Sequence, residues 1–138
     1  GTCLIGAKVA PPNIAKWVQS DCQLLSTVHT AKSAKASNHT TLHVHDVVCV
    51  GWDNDGMSGS LINTNGSFLV AQVLVLCSID KLVLAGIRCW PTTPHHNMYS
   101  TDGPVCLVRV QDIIDVCIYK LDEHTSVAFV VPPRAVSV

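Results

Sequence analysis

The chain alternates short apolar runs with turn-forming residues over most of its length. Val, Ile and Leu dominate the runs, and β-branched side chains favour strands. Gly, Asn, Asp and Pro cluster in the connections, where they form turns. The pattern therefore predicts an all-β domain, a small antiparallel β-barrel or sandwich with at most one or two short helices. The predicted strands are residues 22–30, 40–50, 68–77, 82–89 and 105–110.

Three further segments fit more than one structure. Residues 13–18, after a pair of prolines, fit a helical turn or an irregular approach to a strand. Residues 111–120 have apolar side chains at a mixed spacing, which suits a short helix about as well as a strand. Residues 127–131 fit an edge strand, and we expect the tail 128–138 to be extended.

Composition limits the size of the domain and the kinds of partner. A chain of 138 residues is long enough to bury a core, so residues 1–138 are expected to form one domain. The net charge is −1 and the lysines form no basic stretch with interleaved aromatics, which argues against nucleic acid or an anionic membrane as a partner. The longest apolar run, residues 68–77, is far shorter than the ~20 residues of a membrane-spanning helix, so we expect no membrane segment.

Seven cysteines are spread along the chain without a Cys-x-x-Cys pair. An odd number without that spacing differs from both a secreted disulfide framework and a zinc ribbon. We therefore expect most of the cysteines to be reduced, buried side chains that behave as small apolar residues.

The run Gly56-Met57-Ser58-Gly59 carries the strongest chemical signal in the sequence. Because glycine has no side chain, the backbone around Ser58 can approach a substrate closely. A nucleophilic serine needs such exposure, with backbone N–H donors beside it to stabilise an oxyanion. The alternative interpretation is an ordinary flexible turn between two strands.

The residues around Ser58 resemble the nucleophile segment of chymotrypsin-like serine proteases, especially the compact viral members that process polyproteins. Residues 55–62 are followed by the turn Asn65-Gly66 and an apolar strand, as in that family. Residues 103–114 are similar to the last strand and closing helix of the family. Residues 24–31 look like the strand and turn that present its catalytic histidine.

The resemblance implies a serine endopeptidase that cleaves a peptide or polyprotein substrate, its own terminus included, without a cofactor or metal. Ser58 would attack the scissile carbonyl, His29 would take the proton of Ser58, and Asp46 would orient the imidazole. The backbone N–H groups of Gly56 and Ser58 would form the oxyanion hole. A viral origin would place the protein in the host cell cytoplasm.

The spacing of these residues departs from the family. Only 29 residues separate His29 from Ser58, whereas the family has its histidine and acid in a first barrel and its serine in a second. Three explanations stay open. The loops and strands are strongly reduced, or the chain is mainly the second barrel with partner residues on a preceding segment, or the fold is an inactive remnant that has lost the triad.

Two other arrangements would supply a base to Ser58. His95-His96 follows the serine in sequence, as the histidine does in other serine hydrolases. A Ser–Lys dyad would use Lys81 or Lys120 as the base. Lys81 lies in a predicted turn, where water would keep its ammonium charged.

A metal-binding β-barrel is an alternative from a different class of function. On a strand, His43 and His45 would project to the same face. Cys49 or Asp46 would supply a further ligand, and His39 lies nearby in the sequence.

A non-catalytic β-domain that binds a protein partner is the remaining alternative. In this interpretation Trp52, Trp90 and Pro91 would be exposed in loops, where aromatic side chains often anchor partners.

Overall fold

A computed structural model describes residues 1–37, 39–51 and 68–131 of the chain. Within this part the regular structure is mostly antiparallel β-sheet, with one α-helix, which confirms the all-β prediction. The helix α1 spans Pro12–Cys22 and a single 3₁₀ turn spans Val110–Asp112. The strands are β1 (Cys3–Ile5), β2 (Lys8–Val9), β3 (Val28–Ala31), β4 (Ser33–Lys35), β5 (Thr41–His43), β6 (Val47–Gly51), β7 (Phe68–Ile79), β8 (Leu82–Cys89), β9 (Met98–Ser100), β10 (Val105–Arg109), β11 (Ile113–Val116), β12 (Ile118–Leu121) and β13 (Val127–Val131).

The described strands form a large central sheet and two small three-stranded sheets. The central sheet has the order β10-β8-β7-β3-β2, and β6 joins it between β7 and β11. The small sheets have the orders β1-β4-β5 and β12-β13-β9. This arrangement of layered antiparallel sheets is of the sandwich type.

The long strand β7 organises the central sheet. One of its edges pairs with β8 along most of its length. The opposite edge has two successive partners: β6 pairs with Phe68–Gln72, and β3 pairs with Leu76–Ile79. The pairing of β7 with β8 has a register shift between Val73 and Val75, close to the point where the opposite edge changes partner. The position of a residue along β7 therefore decides which other elements it can contact.

Helix α1 covers one face of the central sheet. Prolines fit its start because the first turn of a helix needs no N–H donors from within the helix. The helix ends at Gln23, which adopts a left-handed conformation with φ of 54°. Val18 is fully buried, and Ile14 and Trp17 pack with it against residues of β7 and β8. Residues 13–18 are therefore helical, and the predicted strand 22–30 is wrong up to residue 27.

Substituting Gly86 in β8 with alanine is expected to weaken the packing of α1 on the sheet. A Cβ atom there would lie 2.7 Å from Cη2 of Trp17, so the indole or the whole helix must move. We expect a loss of about 1–3 kcal/mol in the free energy of unfolding, measured by urea denaturation. In a Trp17→Leu background the same substitution should cost clearly less. An equal cost in both backgrounds would rule out the contact as the cause.

Two predictions near the middle and end of the chain need correction. The predicted strand 40–50 is two strands, because the chain turns between β5 and β6 and His45 has a φ of 83°. Residues 111–120 form β11 and β12 after the 3₁₀ turn, so the expected closing helix is limited to that turn.

The end of the described chain also differs from expectation. Strand β13 is the central strand of its sheet rather than an edge, and Ala128 and Val130 are both 0% exposed. Residues 128–131 are thus fixed in the fold and are not part of an extended tail. Residues 132–138 lie outside the described residues. The helix of the described part is neither long nor apolar enough to cross a membrane.

Candidate functional site

The segment that carries Ser58 connects two neighbouring strands of the central sheet. It leaves β6 after Gly51 and re-enters at Phe68, the first residue of β7, and these two residues pair across the strands. Ser58 and Gly56 themselves lie outside the described residues, so their roles stay predictions. The attachment points nevertheless define the end of β7 at which Ser58 joins the fold.

A second polar segment leaves the sheet from the same end of β7. The backbone N–H of Trp90, which follows β8, donates to the carbonyl of Val70, two residues from Phe68. The chain then runs through His95 and His96, both exposed, before it returns as β9. The segment that carries His95 and His96 therefore leaves the central sheet at the same end of β7 as the Ser58 segment.

The segment with the two histidines has a defined conformation. The Thr93 hydroxyl donates to the carbonyl of Met98 at 2.9 Å, and the backbone N–H of Val130 donates to the carbonyl of Asn97 at 2.9 Å. Residues 92–99 line a surface groove with a volume of about 450 Å³. The sequence predicts His95-His96 as an alternative base but contains no signal for the groove.

His29 lies near the opposite end of β7. It is half-buried on β3 and pairs directly with Ser78, ten residues along β7 from Phe68. Ten residues of extended strand span about 33 Å. Gly51 and His29 are thus attached to widely separated parts of the same edge of β7. Ser58 lies outside the described residues, so its expected contact with His29 stays a prediction.

The carboxylate of Asp46 interacts with His43 and not with His29. Its carboxylate accepts a hydrogen bond from the backbone N–H of His43 at 2.8 Å, and Nδ1 of His43 lies 3.6 Å from the same oxygen. Its carbonyl accepts from the N–H of Val73, five residues along β7 from Ser78, or about 17 Å in a strand. The expected contact of Asp46 with His29 is therefore absent from the structure. The sequence alone could not reveal this register.

The metal-binding alternative depended on His43 and His45 sharing one strand. His43 is the last residue of β5, and His45 lies in the turn that follows it. The two residues therefore do not lie on one strand, and the geometry that would project both imidazoles to the same face is not present. Among the described residues, no group of three or more His, Cys, Asp or Glu side chains is arranged to hold a metal ion.

The two lysines of the Ser–Lys alternative are both exposed. Lys81 lies in the turn between β7 and β8, at the end of β7 that is far from Phe68. Lys120 lies on β12, whose four residues are all exposed. Neither side chain is in the dry environment that a lysine base requires.

The prediction that Trp90 is exposed in a loop is wrong. Trp90 is only 2% exposed, and its ring packs edge-on against Tyr119 with the ring centroids 5.8 Å apart. Among the described residues, the indole N–H of Trp90 has no hydrogen-bond partner. Trp90 therefore cannot anchor a partner as a loop residue, and Trp52 lies outside the described residues. Pro91 is exposed as expected.

The cysteines differ strongly in exposure, which predicts a graded reaction with thiol reagents. All seven are free thiols in the structure, Cys3 is exposed, and burial raises the pKa of Cys77 to about 12. A higher pKa lowers the thiolate fraction at pH 8, and the thiolate is the reactive form. In the folded protein we expect a maleimide to label Cys3 at least about 100-fold faster than Cys77. Mass mapping of the labelled peptides over time measures both rates.

Denaturant provides the control for the labelling experiment. In the unfolded chain the two thiols should react at similar rates, because burial no longer protects Cys77. Equal rates in the folded protein would contradict the burial of Cys77 beneath helix α1.

The chain matches no protein-family model, and searches of curated proteins and of solved structures also find no match.

Proposed function

We propose that this protein is a serine endopeptidase of the chymotrypsin-like type, with Ser58 as its nucleophile. One observation carries the proposal: the segments with Ser58 and with His95-His96 leave the central sheet at the same end of β7. The backbone N–H groups of Gly56 and Ser58 would bind the oxyanion. His95 or His96 would act as the base, in place of the His29 that the family resemblance implies.

The lengths of the two segments are compatible with this assignment. Ser58 is seven residues from Gly51, and His95 is five residues from Trp90, so the two reaches are about 25 Å and about 18 Å. Gly51 and Trp90 flank β7 on opposite edges, within two residues of each other along the strand. Neighbouring strands lie about 5 Å apart, so the two segments start about 10–12 Å from each other. These lengths are therefore compatible with a contact between the Ser58 hydroxyl and one of the two imidazoles.

The proposed reaction is peptide hydrolysis through an acyl-enzyme. The oxygen of Ser58 bonds to the scissile carbonyl carbon while the imidazole takes the hydroxyl proton. The imidazole then gives this proton to the leaving amine, and water hydrolyses the ester. The groove along residues 92–99 supplies a surface for the substrate chain, which would be a peptide or a segment of a polyprotein.

A serine-reactive probe tests the proposal. We expect a peptidyl phosphonate to modify the wild-type protein covalently, and Ser58→Ala to abolish the modification. Ser60→Ala is the matched control, because it removes a hydroxyl from the same segment and should label within about threefold of wild type. Intact-protein mass spectrometry measures both. Equal labelling of the two variants would exclude Ser58 as the nucleophile.

A non-catalytic interaction domain is the second candidate, favoured by an apolar sheet surface. Ile118 pairs with Val131 and Phe129 pairs with Met98 on the outer face of the sheet β12-β13-β9. Ile118 is 75% exposed, and Phe129 and Val131 are also exposed. Apolar surface of this kind is common at protein interfaces. No phosphonate labelling at any pH would favour this candidate over the peptidase.

A further inference from the structure

Two buried thiols lie against each other where the central sheet meets the sheet β12-β13-β9. The Sγ atoms of Cys49 and Cys117 are 3.1 Å apart, close enough for one thiol to hydrogen-bond to the other. Cys49 is 0% exposed and Cys117 is 5% exposed. A disulfide bond is about 2.05 Å long, so a movement of about 1 Å would join the two sulfur atoms.

The positions of the two cysteines make their contact a property of the fold. Cys49 lies in the middle of β6, and Cys117 is the single residue between β11 and β12. The backbone N–H of Cys117 donates to the carbonyl of Val47 at 2.7 Å, which fixes the chain beside β6. Val70, Trp90 and the buried residues of β13 enclose the pair. Few side-chain rotations remain that would separate the thiols.

We propose that Cys49 and Cys117 form a disulfide bond when the chain folds in the presence of a low-molecular-weight disulfide such as oxidised glutathione. One cysteine thiolate attacks glutathione disulfide, releases one glutathione and forms a mixed disulfide. The thiolate of the other cysteine then attacks the protein sulfur of that mixed disulfide and displaces the second glutathione. Two protein thiols are oxidised, one glutathione disulfide is reduced to two thiols, and the two protons pass to the glutathione products.

In the folded protein, both the formation and the reduction of the Cys49–Cys117 disulfide are expected to be slow. The hydrogen bond with Cys117 and burial both raise the pKa of Cys49 in the fold, which lowers its thiolate fraction. The bond therefore forms during folding, while the thiols are still accessible. Once formed, it is shielded from reductants. It would fasten β6, which leads into the Ser58 segment, to the start of the sheet β12-β13-β9.

Refolding of the reduced full-length chain tests this proposal without reference to peptidase activity. With oxidised and reduced glutathione present, we expect the product to have two fewer alkylatable thiols than the seven of the reduced chain. Peptide mapping should find one crosslinked peptide pair, which contains Cys49 and Cys117. The midpoint of thermal unfolding should rise by about 10 °C and return on full reduction, since the bond closes a long loop.

Single substitutions provide the controls. Cys49→Ala and Cys117→Ala should each abolish the crosslink, whereas Cys77→Ala, which removes a buried thiol outside the pair, should retain it. Where a variant fails to fold, the peptide map of the wild-type protein shows whether the crosslink joins Cys49 and Cys117. A fully reduced product, or a dominant crosslink through another cysteine such as the exposed Cys3, would overturn the proposal.

Discussion

Gly103→Ala is expected to destabilise the fold strongly, the largest effect on stability that the structure predicts. A Cβ atom at this position would overlap the carbonyl oxygen of Cys89 and lie 2.8 Å from Cδ of Pro91. Neither atom belongs to a flexible side chain. The clash therefore has to be relieved by moving backbone, and we expect a loss of about 3–5 kcal/mol in the free energy of unfolding.

The surrounding hydrogen bonds explain why moving the backbone at Gly103 costs free energy. Nη1 of Arg88 donates to the carbonyl of Gly103 at 3.0 Å, and the N–H of Cys89 donates to the carbonyl of Pro104 at 2.8 Å. These bonds hold the end of the 91–104 segment against β8. Moving Gly103 away would break them and leave the N–H of the buried residue Cys89 without its partner.

Thermal and urea unfolding measure this effect, with Gly51→Ala as the matched control. A Cβ at Gly51 would have its nearest neighbour, the carbonyl oxygen of Asp112, at 3.4 Å, so the same substitution should change stability by less than about 1 kcal/mol. If Gly103→Ala were as stable as wild type, the packing of residues 91–104 against β8 described here would be incorrect.

Loss of the histidines in the groove is expected to have the largest effect on the reactivity of Ser58. A general base typically contributes 10²–10⁴-fold, so we expect His95→Gln combined with His96→Gln to slow phosphonate labelling by roughly that factor. The single substitutions should differ, because only one imidazole can hold the catalytic position. Both side chains are exposed, so the substitutions should leave the fold intact.

The His29→Gln variant distinguishes two assignments of the base for Ser58, namely His95 or His96 as proposed here and His29 as the family resemblance implies. His29 pairs with Ser78 near the far end of β7, so its replacement should change the labelling rate by less than about threefold. Second-order rate constants for the double variant, for His29→Gln and for wild type give the comparison. A large loss in His29→Gln with none in the double variant would restore His29 as the base. It would also show that β7 does not separate the two sites.

The central strands could be predicted from the sequence because their signals are local. Residues 68–77 and 82–89 are long apolar runs joined by Asp80-Lys81, and they match β7 and β8 closely. The sequence does not distinguish helix α1 from an irregular segment, because the helix begins with prolines and has a single fully buried side chain, Val18. The turn between β5 and β6 depends on a positive φ at a histidine, which composition does not indicate.

The candidate site was harder to predict because it depends on strand register. The sequence identifies the reactive residue types, namely a serine beside glycines and several histidines. It does not show that β6 and β3 share one edge of β7, and this sharing separates His29 from both Gly51 and Asp46. Neither does it show that Trp90 lies beside Val70, so that the segment with His95 and His96 leaves the central sheet near the start of β7. Contacts between distant segments fix these positions.

The most direct test of the peptidase assignment is the location of the phosphonate adduct on the wild-type chain. The labelled protein is digested, and the modified peptide is sequenced by tandem mass spectrometry. We predict a single adduct on the oxygen of Ser58. An adduct on Ser60 or on a serine elsewhere, or no adduct at any pH at which the protein is folded, would contradict the proposed function.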